Sequence, residues 1–255
     1  EHVSVLILGN YGGQVFHSCM TLISAVFDRE NFEEYKGSLL NLGRELIGEK
    51  PVEGMELWSL YVQKFQEEEL EEYFPQIKEI IQASIESPLQ EVRLVTLNCI
   101  NEIVLYGLCE YLFGNNMGLM DSIMRVTQNA FENDGEPYKE CEECVDIIEL
   151  LMTDYLEMFE DYTRGVIRIA NGVIRNEEQE PSRRLIMMRI YKGFAQMSID
   201  VIKSMLETLI RVMIGCLIKL CKENKEDFKT YNTEEFIEIL FKESQTREVF
   251  IKFLF

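Results

Sequence analysis

Helical periodicity that hardly lapses from Gly13 onward is the feature that most constrains this chain. Apolar residues return every three to four positions, which places them on one face of an α-helix. The pattern predicts helices over 14–27, 32–47, 54–66, 69–86, 89–112, 117–132, 137–159, 161–175, 182–197, 199–222, 232–243 and 245–255. Turn chemistry separates them at Gly48 to Pro51, Ser87-Pro88, Gly114-Asn115-Asn116, Asn133 to Pro137 and Asn176 to Pro181. Val3 to Leu8 is a short apolar run that reads as a strand or as the end of a helix. An all-α fold follows.

Two segments show how the helices are covered. Within 137–159, Cys141, Cys144, Val145, Ile148 and Met152 form an apolar stripe, and Lys139, Glu142, Glu143, Asp146 and Glu149 form the opposite, charged one. The segment 92–106 is apolar nearly all round, as in the middle of a stack.

The spacing of the helices repeats. First helices of successive pairs open near Tyr73, Met117 and Asp161, 44 residues apart each time, and the loop prolines Pro88, Pro137 and Pro181 are spaced 49 and 44. Each proline stands where the first turn of the second helix should begin, a position that tolerates a missing N–H. A helix-pair period of about 40–47 residues is the mark of a HEAT or armadillo solenoid; its rival is a large helical bundle with accidental spacing. The chain then reads as a single right-handed α-solenoid segment over 1–255, of about five or six helix pairs. Its repeats register best at 69–112, 115–159 and 161–197. A free-standing solenoid needs polar end caps, but Val3 to Leu8 and Val249 to Phe255 are apolar. The expectation is a piece of a longer array, or a partner at each end.

Charge narrows the partners. With 25 Lys+Arg against 45 Asp+Glu the chain carries −20, which disfavours direct nucleic-acid or anionic-membrane binding and favours a basic partner. The most apolar stretch, Val212 to Ile218, is bounded by Arg211 and Lys219 and is too short to span a bilayer. The opening EHVSVLILGNYGG has no basic n-region, so no secretory signal is expected. Seven cysteines lie mostly inside apolar helical patterns, which predicts reduced thiols and a place in cytoplasm or nucleus.

No constellation argues for catalysis. Cys141-Glu142-Glu143-Cys144 is a C-x-x-C without a second ligand pair, and both thiols fall on the apolar stripe, so core packing is expected in place of a metal or redox centre. Leu8 to Gln14 has the context of a phosphate loop but neither its lysine nor its glycine pattern. His17 and Cys19 point to different faces of one helix, and His17 is expected to be a buried or half-buried structural histidine. The run Glu67-Glu68-Glu69 with Glu71-Glu72 suits a solvated helix start. Arg164, Arg168, Asn171 and Arg175 form a basic stripe expected to pair with the acidic stripe of the neighbouring repeat. Met187, Met188, Met197, Met205 and Met213 read as core filler. A non-enzyme without cofactor or metal is expected.

The stretch Glu72-Tyr73-Phe74-Pro75 to Ile81, leading into Ser87-Pro88-Leu89-Gln90-Glu91-Val92-Arg93 to Ile100, resembles a HEAT repeat through its Val-Arg pair and apolar second helix. The continuation from Tyr106 to Phe113 and Met117 to Phe131 is similar to middle repeats of the importin-β (karyopherin) nuclear transport receptors. The third pair keeps the spacing with Arg183-Arg184 in place of Val-Arg. That resemblance implies a superhelical, protein-binding receptor for basic cargo, for Ran-GTP or for both, with nucleoporin repeats docking outside and second helices lining an acidic concave surface. The residues it places there are Glu142, Glu143, Asp146 and Glu149, with Glu177, Glu178 and Glu180 as a short acidic loop. An exportin, a static HEAT scaffold of a multiprotein complex, and a small helical homodimer or enzyme remain open as alternatives.

Overall fold

The computed structural model describes residues 13–27, 34–114, 118–132, 138–155, 159–197, 211–212 and 215. The predicted segments 232–243 and 245–255, nearly all of 199–222, and Val3 to Gly12, Pro137, Met205 and Met213 lie outside them, as do the side chain of Met197 and its surroundings. Among the described residues every regular element is helical. In order these are α1 (Gly13–Phe27), α2 (Lys36–Glu49), α3 (Pro51–Val62), α4 (Glu67–Leu70), α5 (Phe74–Ser84), α6 (Gln90–Leu105), α7 (Cys109–Phe113), α8 (Gly118–Glu132), α9 (Tyr138–Asp154), α10 (Thr163–Arg175) and α11 (Pro181–Met197). Short 3₁₀ turns, Glu71–Tyr73 and Glu160–Tyr162, lead into α5 and α10. The chain divides into two compact units, Glu1–Ser122 and Ile123–Phe255.

In the first unit α2 and α3 pair, α5 and α6 pair, and α3 packs against α6. Two glycines make the α2–α3 contact close. A Cβ on Gly54 would fall 2.7 Å from the Ile47 Cα, and one on Gly43 would fall 2.6 Å from the Tyr61 ring. Leu46, Ile47, Met55, Leu57, Trp58 and Tyr61 are fully buried there. Trp58 donates from Nε1 to Gly43 O at 3.3 Å and Tyr61 from its hydroxyl to Leu39 O at 2.5 Å, so each aromatic hides its body and still satisfies its polar tip. Phe27 of α1 sets its ring edge-on to Tyr61 and Phe65, at 6.0 and 5.8 Å. On the facing helix Thr96, Leu97, Cys99, Ile100 and Ile103 are buried, and the Thr96 hydroxyl turns back onto Val92 O at 2.7 Å.

Several boundaries differ from the sequence reading, each for a local reason. The predicted helix 89–112 breaks after Leu105. Gly107 adopts φ 84, Leu108 N donates to Ile103 O at 3.0 Å and Gly107 N to Val104 O at 3.1 Å. These two bonds and the left-handed glycine form a Schellman stop, with Leu108 tucked into the core behind it. Pro51 and Pro181 open α3 and α11 as their geometry favours, but Pro88 precedes α6 by two residues, so its place in the first turn is corrected. The segment predicted over 69–86 is divided into α4, a 3₁₀ turn and α5, and Pro75 sits in the first turn of α5.

In the second unit α10 and α11 pair, and α11 packs on α9. Cys141, Cys144, Val145, Ile148 and Met152 of α9 are buried as the stripe required, and so are Met187 and Met188 of α11. Side chains close the exposed ends of the helices. Gln179 donates to Phe131 O at 2.9 Å and Arg183 to Ala130 O at 3.3 Å, both carbonyls in the last turn of α8. Arg184 donates to Ile174 O near the end of α10 from Nε at 3.0 Å and Nη2 at 2.7 Å. Helix C-termini carry unsatisfied carbonyls and partial negative charge, so a guanidinium answers both. In the first unit Arg93 does similar service for the loop before α6, reaching Ser87 O at 2.8 Å.

Candidate functional site

The acidic row of α9 is the strongest chemical feature of the second unit. Its helix buries the Cys141–Met152 stripe, which leaves Glu142, Glu143, Asp146 and Glu149 half-exposed on the other side. Arg189 of α11 reaches this row. Its Nη2 lies 2.5 Å from Asp146 Oδ1 and 2.7 Å from Glu149 Oε2, with Nε 3.2 Å from the same Glu149 oxygen. The Arg189 and Glu149 side chains are 16 % and 15 % exposed, while Asp146 keeps 34 %. Burial works against the Arg189 charge, but Asp146 and then Glu149 overcome it and hold the guanidinium above its ordinary value. Burial, then the neighbouring Asp146, push the Glu142 carboxyl up, against the pull of Arg189 and Lys139.

Among the described residues, Arg164 and Arg168 of the α10 stripe make no bond to this row, contrary to the predicted pairing. Arg164, Arg168 and Arg175 are exposed on α10, and Asn171 instead accepts the Tyr191 hydroxyl at 2.7 Å. A cation that does meet the row is Arg189. Sequence reasoning missed it, although it lies 43 residues after Asp146 and 40 after Glu149, close to one helix-pair period. Glu177, Glu178 and Glu180 are exposed, as expected of a polar loop, but they sit between α10 and α11 and not on α9. Gln179 among them turns inward to α8 and is 7 % exposed.

The remaining candidates resolve as follows. Cys141 and Cys144 are buried within the core, where Cys141 donates to Ala130 O at 3.3 Å and Cys144 bonds the Thr127 side chain. Burial pushes the Cys141 thiol up to about 11 and the Cys144 thiol higher still, the opposite of a reactive thiolate. His17 is exposed, not buried or half-buried: the buried face of α1 is Cys19, Ile23 and Phe27, and position 17 falls outside it. Of the Leu8–Gln14 loop only Gly13 and Gln14 are described, and both belong to or open α1. Glu69 accepts from Gln66 N at 2.9 Å and pairs with Lys36 at 2.5 Å, while Glu67 accepts the Tyr111 hydroxyl at 2.9 Å. That acidic run is therefore partly engaged at the start of α4. Among the described residues no cluster of three or more His, Cys, Asp or Glu is placed to hold a metal, and no helix is long and apolar enough to cross a membrane.

Among the described residues, fold and site together define an all-α protein of paired helices that presents an acidic row engaged by the Arg189 guanidinium. Compared with known proteins, the chain matches no family model, no curated protein and no solved structure.

Proposed function

We propose that this chain is a protein-recognition module built of stacked helix pairs, and that the α9 row receives a basic partner. The observation that carries the proposal is the row itself: four half-exposed carboxylates, Glu142, Glu143, Asp146 and Glu149, on one face of α9, in a chain of net charge −20. Such a face attracts cationic surfaces and speeds their encounter. A repeat architecture is supported by two further features. In each unit a second helix packs on the next second helix, α3 on α6 and α9 on α11. Side-chain bonds also recur at about one period, Tyr111 to Glu67 across 44 residues and Arg189 to Asp146 across 43.

The nuclear-transport form of this reading, an importin-β-like receptor for basic cargo and Ran-GTP, rests on the residue pattern of 72–131. One experiment tests both levels. The immobilised chain is exposed to nuclear extract and to a fluorescent oligoarginine peptide, between about 0.05 and 0.5 M salt, with and without Ran loaded with a non-hydrolysable GTP analogue. Salt-sensitive peptide binding that weakens in an E142Q/E143Q variant supports the basic-partner reading; affinity indifferent to salt refutes it. Release of bound proteins by Ran-GTP supports the receptor form. Stable capture that ignores Ran points to a static scaffold instead.

A further inference from the structure

We infer that the outer face of α10 is a docking surface for an acidic peptide segment of another protein, distinct from the α9 row and of opposite sign. Val166, Ala170 and Ile174 are buried and fix the inward side of this helix. On the outward side Arg164, Arg168, Gly172 and Arg175 are exposed. Their spacing of three or four residues places them in one line along the helix. A Cβ on Gly172 would meet nothing within 4 Å, so the line is open to close approach there. The helix itself contains neither Asp nor Glu. Among the described residues, neither Arg164 nor Arg168 makes a hydrogen bond or ion pair, and Asp161, exposed one turn earlier, does not pair with Arg164. Arg183, Arg184 and Arg189 of the next helix are by contrast all bonded. In a chain with 45 Asp+Glu against 25 Lys+Arg, two arginines on one face without a carboxylate are what an acidic partner would complete. Arg175 extends the line but is engaged near Tyr191, so Arg164 and Arg168 carry the charge of the site.

The number and spacing of the cations select the occupant. From Arg164 to Arg175 the line is about 16 Å long. A DNA duplex carries about ten charges over that length, far more than these arginines answer in a chain of net charge −20. Docking on an anionic bilayer calls for large apolar side chains beside the cations. The exposed large apolar residues among those described are Leu22, Tyr35, Leu89, Leu105 and Tyr106, and none of them is on α10. A peptide with carboxylates one helical turn apart matches instead. Side chains four residues apart on a helix have Cβ atoms about 5–6 Å apart, and each guanidinium fork takes one carboxylate. The negative charge on the rest of the chain is screened beyond about 10 Å at 0.1 M salt, so the local sign of the face decides what it binds.

The test measures binding of a fluorescent alanine-based peptide with a glutamate at every fourth position, and of its glutamine counterpart, to the 255-residue chain at about 0.1 M salt. The variants are R164Q, R168Q and R164Q/R168Q, with circular dichroism to verify the fold. Arg44→Gln removes an exposed cation from the first unit and controls for net charge. The glutamate peptide is expected to bind the parent and R44Q alike, and the glutamine peptide to bind neither. R164Q/R168Q should bind the glutamate peptide at least about threefold more weakly, the influence of two unit charges at about 6 Å in water at that salt, with each single variant in between. If the parent ignores the glutamate peptide, or the double variant binds it as well as the parent, the inference is overturned. Tighter binding of a DNA duplex or of phosphatidylserine vesicles, lost in the same double variant, overturns the choice of an acidic peptide. Self-association of the parent lost in that variant assigns the face to a second copy and overturns it likewise. Probe and face both differ from those of the basic-partner reading, so either can fail without the other.

Discussion

Gly54→Ala should unfold the first unit at markedly lower denaturant, although alanine is the better helix former. The added methyl would lie 2.7 Å from Ile47 Cα, 2.8 Å from Ile47 N and 3.1 Å from Leu46 C. Carbon atoms rest about 3.5–4.0 Å apart, so α2 and α3 must separate by roughly 1 Å. No rotamer can relieve this, because the three nearest atoms are all backbone. Separation of that size forfeits about a quarter to a half of the dispersion at each contact, across an interface that includes Leu46, Ile47, Leu57, Trp58 and Tyr61. Overpacking of a tight core costs about 1–3 kcal/mol, and a rigid backbone neighbour places this case at or above the upper end. Helix propensity returns about 1 kcal/mol. The net expectation is a loss of about 2–3 kcal/mol.

Gly48 supplies the opposite sign on the same helix pair. A Cβ there has nothing within 4 Å, so Gly48→Ala should leave stability unchanged or raise it by up to about 1 kcal/mol. The chain has one tryptophan, Trp58, buried at this interface, and its fluorescence during urea unfolding reports on this unit. A Gly54→Ala midpoint equal to or above the parent's would refute the close approach of α2 and α3, and with it the account of why glycine stands there.

Gly107→Ala forces an alanine into the left-handed region at the Schellman stop and should cost about 1–2 kcal/mol, read by the same urea titration. Arg184→Met keeps the stem but removes both bonds to Ile174 O; a loss of about 1–2 kcal/mol is expected, with faster amide exchange in the last turn of α10. Iodoacetamide at pH 8 should label Cys99, Cys109 and Cys141 only after unfolding, since burial pushes their thiols up to about 12, 12 and 11; rapid labelling of any of them in the native state would contradict their placement. Burial and like charge raise the Glu56 and Glu142 carboxyls, so the folded state binds protons more readily than the unfolded one just above the ordinary carboxylate range. Thermal stability should therefore rise as pH falls from 7.5 toward about 5.5, then decline at lower pH as Glu69, whose carboxyl is held below its ordinary value, is protonated and its tie to Lys36 is lost.

What the sequence made legible were features of one helix at a time. The stripe Cys141, Cys144, Val145, Ile148 and Met152 is buried because spacing alone decides which side of a helix is apolar. His17 is exposed, against expectation, because apolar neighbours along the chain do not fix a face, whereas Cys19, Ile23 and Phe27 do. The break at Gly107 was readable in principle: an aromatic, a glycine and then a leucine are the composition of a Schellman stop, but continuous hydrophobicity on both sides hid it.

Links between helices are a different problem, because a long side chain chooses among partners that only the packing brings within reach. Arg183 and Arg184 are neighbours in sequence, yet one closes α8 and the other closes α10. Residues adjacent along a helix point about 100° apart, so a pair of arginines can serve two helix ends at once. The same reasoning explains how the acidic row drew Arg189 of α11. α9 packs on α11, so a cation on α11 reaches the row with most of its stem already covered. Arg164 and Arg168 remain exposed on α10, where an exposed ion pair would add little. The cation worth seeking beside an acidic stripe is therefore the one near a full period downstream on the next second helix, where a guanidinium can be partly desolvated as its charge is met.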